Sequence, residues 1–258
     1  AHIDSPRLDL KQNPVYESDG FAYLDTHYYG GIKHYQWVTL PLALYGVVAK
    51  TDGTVVDIAI GDDPDDPVFC VTDLLPHLGS QQMAKKGSEI VEGESLDILM
   101  GNRPLVLKKD KTEGSSNNEA LAVEQKSVQA SDIAKTDGAH EKGDEDSKKA
   151  KEGVKAFALA LLEEKYGITE EDFISAEIEV VPAGRARDLG FDRSMVLGYG
   201  QDDRVCAYTS LEAQLALDSA PKITAVTVLV DKEEIGSVGA TGMGSLFFEN
   251  TIAEILGL

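Results

Sequence analysis

The sequence predicts an α/β protein in which a mostly β segment interrupts a mixed domain, and three observations point there. Short β-branched and aromatic runs crowd the region before Ile60. A polar stretch at 108–151 then carries no apolar period. Beyond it, helix-spaced apolar residues alternate with strand-like runs, the last of them, Ile223-Thr224-Ala225-Val226-Thr227-Val228-Leu229-Val230, nearly all apolar.

In chain order, strands are expected at Phe21-Ala22-Tyr23-Leu24, Trp37-Val38-Thr39-Leu40, Leu44-Tyr45-Gly46-Val47-Val48 and Val55–Ile60. Thr51-Asp52-Gly53-Thr54 joins the last two as a hairpin. The 108–151 stretch, which includes His140, reads as a flexible, solvated excursion. Val154, Phe157, Ala158, Leu161 and Leu162 mark one face of a helix that Gly167 ends. An alternating strand follows at Ala176–Pro182, and Val205, Tyr208, Leu211 and Leu215 mark a second helix. The 223–230 run is expected to be buried on both faces, as in a parallel sheet. Leu246-Phe247-Phe248 through Ile255 and Leu256 is apolar at helical spacing and reaches the last residue with no stop signal. That ending, and Ala1 where a Met would start a gene product, predict a piece lacking both ends of a longer protein.

Composition narrows the partners. A formal charge of -21 repels nucleic-acid phosphates and anionic membrane surfaces, so neither is an expected partner. No apolar run reaches the roughly 20 residues that a membrane helix needs, and no signal peptide is visible. Cys70 and Cys206 are far apart and lack metal-ligand spacing, so a reducing, cytoplasmic location is expected.

Three clusters can carry chemistry. Asp231-Lys232-Glu233-Glu234-Ile235-Gly236-Ser237 follows the apolar run, at the strand end where open α/β sheets place ligands. One carboxylate there can bind a metal while the other takes a proton from a metal-activated water. The alternative is a pair of solvated loop acids. In Gly200-Gln201-Asp202-Asp203-Arg204 the aspartates precede a helix, where either can cap free N–H groups, or Asp202 can project toward the strand end and a pair of metal ions. In Ala1-His2-Ile3-Asp4-Ser5-Pro6, an extended backbone puts the imidazole and the carboxylate on one side, and the carboxylate can orient the ring. This nitrogen and oxygen donor set suits zinc, and cobalt or manganese can share it.

Taken in order, these segments together with Tyr29-Gly30-Gly31, Val181-Pro182-Ala183-Gly184 and Phe191-Asp192-Arg193-Ser194 resemble the aspartyl aminopeptidase family of dinuclear zinc exopeptidases, its bacterial members in particular. The resemblance implies a zinc-exopeptidase α/β domain at 1–10 and 188–258, interrupted by a β-rich dimerisation domain at 11–187. It implies two zinc ions per site, with His2, Asp202 and Glu234 as ligands and Asp202 as the bridge. Which ion Glu234 binds stays open. Glu233 would be the general base, Asp4 the support of His2, and Asp203 and Arg204 holders of their loop. His77, in the inserted domain, would reach a neighbouring protomer's site, whereas His27 and His34 are structural.

The implied reaction is hydrolysis of the N-terminal peptide bond of peptides, by an enzyme that dimerises and builds a tetrahedral dodecamer. Two further ligands that the family places after the Glu-Glu motif have no counterpart in this sequence, so the chain by itself is expected to be inactive. Rival readings are a dinuclear deacylase or dipeptidase on the same scaffold, and an inactive assembly module.

Overall fold

The structure, a computed structural model, describes residues 1–105 and 153–257; the whole of the predicted polar excursion at 108–151, His140 included, lies outside them. Its centre is a six-stranded antiparallel sheet of β1 (Arg7–Ser18), β2 (Phe21–Tyr29), β3 (Leu42–Ala49), β4 (Val55–Ile60), β5 (Ile98–Gly101) and β6 (Ala176–Pro182), in the order β4-β3-β6-β1-β2-β5. The remaining strands, β7 (Arg187–Leu189) and β8 (Met195–Leu197), pair as an exposed hairpin. Among the described residues the α-helices are α1 (Ser80–Met83), α2 (Gly153–Tyr166), α3 (Gln201–Leu215) and α4 (Leu246–Gly257).

Alternation of side chains along the strands puts Leu8, Leu24, Leu42, Val48 and Val180 together in a core closed to solvent. Leu159, Leu162 and Tyr166 of α2 pack against it. Glu17, on β1, fixes the start of that helix: its carboxylate accepts the N–H groups of Val154 and Lys155, each at 2.9 Å. Those N–H groups have no partner inside a helix, and the positive end of the helix dipole favours the charge. At the other end Gly167 takes a left-handed turn and donates to the Glu163 carbonyl.

The expected β3–β4 hairpin forms, with Gly53 at positive φ in its turn. β3 also pairs with β6, and there the backbones meet closely. A Cβ added to Gly46 would stand 2.0 Å from the Glu177 carbonyl oxygen. Gly46→Ala is therefore expected to cost about 3 kcal/mol of stability by urea denaturation. A loss under about 1 kcal/mol would mean that the strands can part there without strain.

Two predicted strands are not found. The segment 37–40 follows a 3-10 turn at His34–Gln36, and Thr39 has a φ of 61°, which no continuous strand accommodates. Its apolar content instead buries Trp37 edge-on to Tyr199. The 223–230 run is not buried on both faces: Ile223 is 82% and Val226 56% exposed. Among the described residues its one β-bridge joins Val230 to His2 in parallel, and on α3 the Thr227 hydroxyl meets Ser210 and Gln214.

Candidate metal centre

That one parallel bridge creates the site. Ile3 donates its N–H to the Val230 carbonyl at 2.8 Å, and Val230 donates back to the Ala1 carbonyl at 3.1 Å. His2 is thereby held beside the end of the 223–230 run, where the chain turns through Glu233–Ile235. Extended backbone puts His2 and Asp4 on the same side, as their spacing predicts. Both are buried, and His2 Nδ1 lies 3.2 Å from Asp4 Oδ1.

Asp202 arrives from the third segment. It lies in the first turn of α3, but its φ and ψ of -88° and 109° are extended, so its side chain leaves the helix path. Asp202 Oδ1 stands 3.2 Å from His2 Nε2, and Glu233 Oε2 stands 3.7 Å from the same nitrogen. Asp203 Oδ2 accepts the His2 backbone N–H at 3.3 Å, and Ser5 Oγ donates to the Asp202 carbonyl at 3.0 Å. The extended segment is thus tied to the aspartate loop by main-chain and side-chain bonds at once.

Donor atoms of His2, Asp202 and Glu234 all lie within 4.8 Å of one another. An imidazole nitrogen with carboxylate oxygens, converging this closely, is the donor chemistry of a zinc site. Electrostatics agree. Burial pushes the His2 imidazole down, but the Asp4 carbonyl and carboxylate, Glu233 and Asp203 outweigh it and raise its affinity for a proton. Glu234 is pushed up by burial and by the nearby Asp202. The cluster holds more negative charge than one imidazolium balances, and a divalent cation relieves that excess.

Asp4 is the hub of the site. Its Oδ1 faces the His2 ring and accepts the Glu233 N–H at 3.2 Å, and its Oδ2 accepts the Tyr29 hydroxyl at 2.7 Å and the Glu234 N–H at 3.1 Å. Burial raises the Asp4 carboxyl, yet the bonds from Tyr29, Glu234 and Glu233 hold it below the ordinary carboxylate range.

The structure thus brings together His2, Asp4, Asp202, Glu233 and Glu234. His77 stands apart on an exposed turn before α1. His27 pairs with Glu94 at 2.9 Å, and His34 bonds the Val91 carbonyl at 3.0 Å, and neither donates to the cluster. Sequence reasoning gave no role to Ser5 or to Tyr29, although Ser5 adjoins the His-X-Asp motif and Tyr29 opens Tyr29-Gly30-Gly31.

A family model for aminopeptidase I zinc metalloproteases (M18) matches residues 1–257. A probable M18 family aminopeptidase 1 of Clostridium acetobutylicum is 54% identical over 258 residues, covering 100% of this chain and 47% of that protein. Its namesake in Thermotoga maritima is 44% identical over 256 residues, covering 99% of this chain and 47% of its own length. The crystal structure of the Thermotoga maritima M18 aminopeptidase superposes with a TM-score of 0.78 at 43% identity, over 100% of this chain and 47% of that one. The chain therefore spans about half the length of the curated relatives it matches.

Proposed function

Because the chain belongs to the aminopeptidase I zinc metalloprotease (M18) family, we propose that its protein removes residues from the free amino termini of peptides, with His2, Asp202 and Glu234 as zinc ligands. The observation that carries this reading is the convergence of those donors within 4.8 Å. Two zinc ions held by these residues would supply the positive charge that makes water acidic near neutral pH and polarises the scissile carbonyl.

The chain's own residues do the rest. Asp4 fixes the His2 ring through Nδ1 and leaves Nε2 facing the cluster. Glu233, half exposed at the mouth of the cluster, takes the proton of the attacking water and returns it to the departing amine. Its backbone N–H is anchored on Asp4, so the carboxylate reaches the reacting atoms from a fixed turn.

The same reading assigns 1–10 and 188–258 to the catalytic part and 11–187 to an assembly domain, with His77 supplied to a second copy. The fold is shared with the S. cerevisiae mApe1 dodecamer. Exposed Leu74, Leu75 and Leu78 around His77 offer an apolar surface to another protomer. Among the described residues no helix is long and apolar enough to cross a membrane; the cytoplasmic setting that goes with this reading rests on Cys70 and Cys206, which are free.

The test compares one peptide with free and with acetylated amino termini, using the protein expressed from its complete gene. Release of the first residue only from the free peptide, abolished by chelation and restored by zinc, is the expected result. Preferential cleavage of the acetyl group would make the enzyme a deacylase instead.

A further inference from the structure

The Tyr29-Gly30 pair closes β2 and has no part in the chemistry above, yet it touches the site from beneath. Its position is set by the sheet: Tyr29 pairs with Arg7 in the β1–β2 register. The Arg7 guanidinium lies 3.9 Å from the centre of the Tyr29 ring and is itself held by Asp9 at 2.7 Å and Glu179 at 3.0 Å. The phenol, buried with its ring clamped by that cation, has its hydroxyl on Asp4 Oδ2 at 2.7 Å. The next residue, Gly30, has a φ of 75°, and a Cβ there would come within 3.0 Å of the Glu234 Cβ and 3.4 Å of the Pro6 Cβ. One dipeptide therefore meets both the buried carboxylate that orients the imidazole and the backbone turn that carries the acids.

Resting on the zinc site proposed above, we infer that Tyr29 is a positioning residue for that site, acting through Asp4, and that Gly30 is the gap into which the Glu234 turn seats. Each Asp4 oxygen has one donor from the Glu233–Glu234 backbone and a second from a side chain, His2 on one oxygen and Tyr29 on the other. Without the phenol hydroxyl, Oδ2 keeps a single donor, and the carboxylate can rotate away from the ring it orients. Partners of this kind, which hold a ligand without touching the metal, typically govern affinity by about 10–100-fold.

Chelator competition with zinc as the only metal tests this on the protein expressed from its complete gene. Wild type must first give a zinc constant that Asp202→Ala abolishes; failure at that step overturns the zinc site and this inference with it. Given that constant, Tyr29→Phe is expected to weaken zinc binding by about 10–100-fold. The metal-free melting temperature should fall only by the few degrees that one hydrogen bond to a buried carboxylate is worth, since the ring and its contact with Arg7 remain. In the Asp4→Asn background the same substitution should add nothing, because both act through one carboxylate. An unchanged zinc constant in Tyr29→Phe, or losses that multiply in the double variant, overturns the assignment while leaving the zinc site itself standing.

Discussion

Glu233→Gln is expected to keep its zinc and to lower kcat by about 10²–10⁴-fold, the range that a positioned general base supplies. The substitution is close to isosteric, and the backbone N–H that bonds Asp4 Oδ1 at 3.2 Å is untouched, so the turn stays in place. What disappears is an oxygen able to accept a proton, at a point 3.7 Å from His2 Nε2. Since each tenfold corresponds to about 1.4 kcal/mol, the barrier rises by about 3–5 kcal/mol. Steady-state kinetics with zinc content measured on the same sample would check it. Near-normal turnover at full zinc occupancy would remove Glu233 from the base role.

Asp202→Ala is expected to do the reverse, losing zinc while keeping the fold. The Asp202 side chain is 84% exposed and lies 3.2 Å from His2 Nε2. Its loop is held by other means, through the Asp202 carbonyl to Ser5 and the Asp203 carboxylate to the His2 N–H. Metal-free stability should therefore change by no more than about 0.5 kcal/mol. Relief of the repulsion by which Asp202 pushes the Glu234 carboxyl up offsets the lost contact with His2. Elemental analysis after dialysis, with circular dichroism as the control, reads the outcome. Stoichiometric zinc retained by this variant would exclude Asp202 as a ligand.

Legibility in the sequence followed the range of the interactions involved. Asp52-Gly53 announced its hairpin, and the alternating run at Ala176–Pro182 forms β6, because both signals are local. β1 was not anticipated: Arg7–Ser18 mixes charged residues with Pro14, and a bulge between Leu10 and Val15 breaks the alternation that would betray it. At 223–230 the β-branched, apolar composition predicts a buried strand, but strand pairing and burial both depend on neighbours, and those described here cover little of it. The site motifs could be read because each packs its donors into a few adjacent residues. Ser5 on the Asp202 carbonyl and Tyr29 on Asp4 bridge separations of 197 and 25 residues, and nothing local marks such pairs.

The segment that carries His2, Asp4 and Ser5 runs without interruption into β1 at Arg7, and β1 lies inside the large sheet between β6 and β2. The passage from His2 to the sheet interior therefore offers no slack in which a hinge could act. A protomer that grips another through this sheet would transmit the strain of assembly straight to the imidazole. Grafting the sheet onto another scaffold by cutting near residue 10 would likewise sever a ladder rather than a linker.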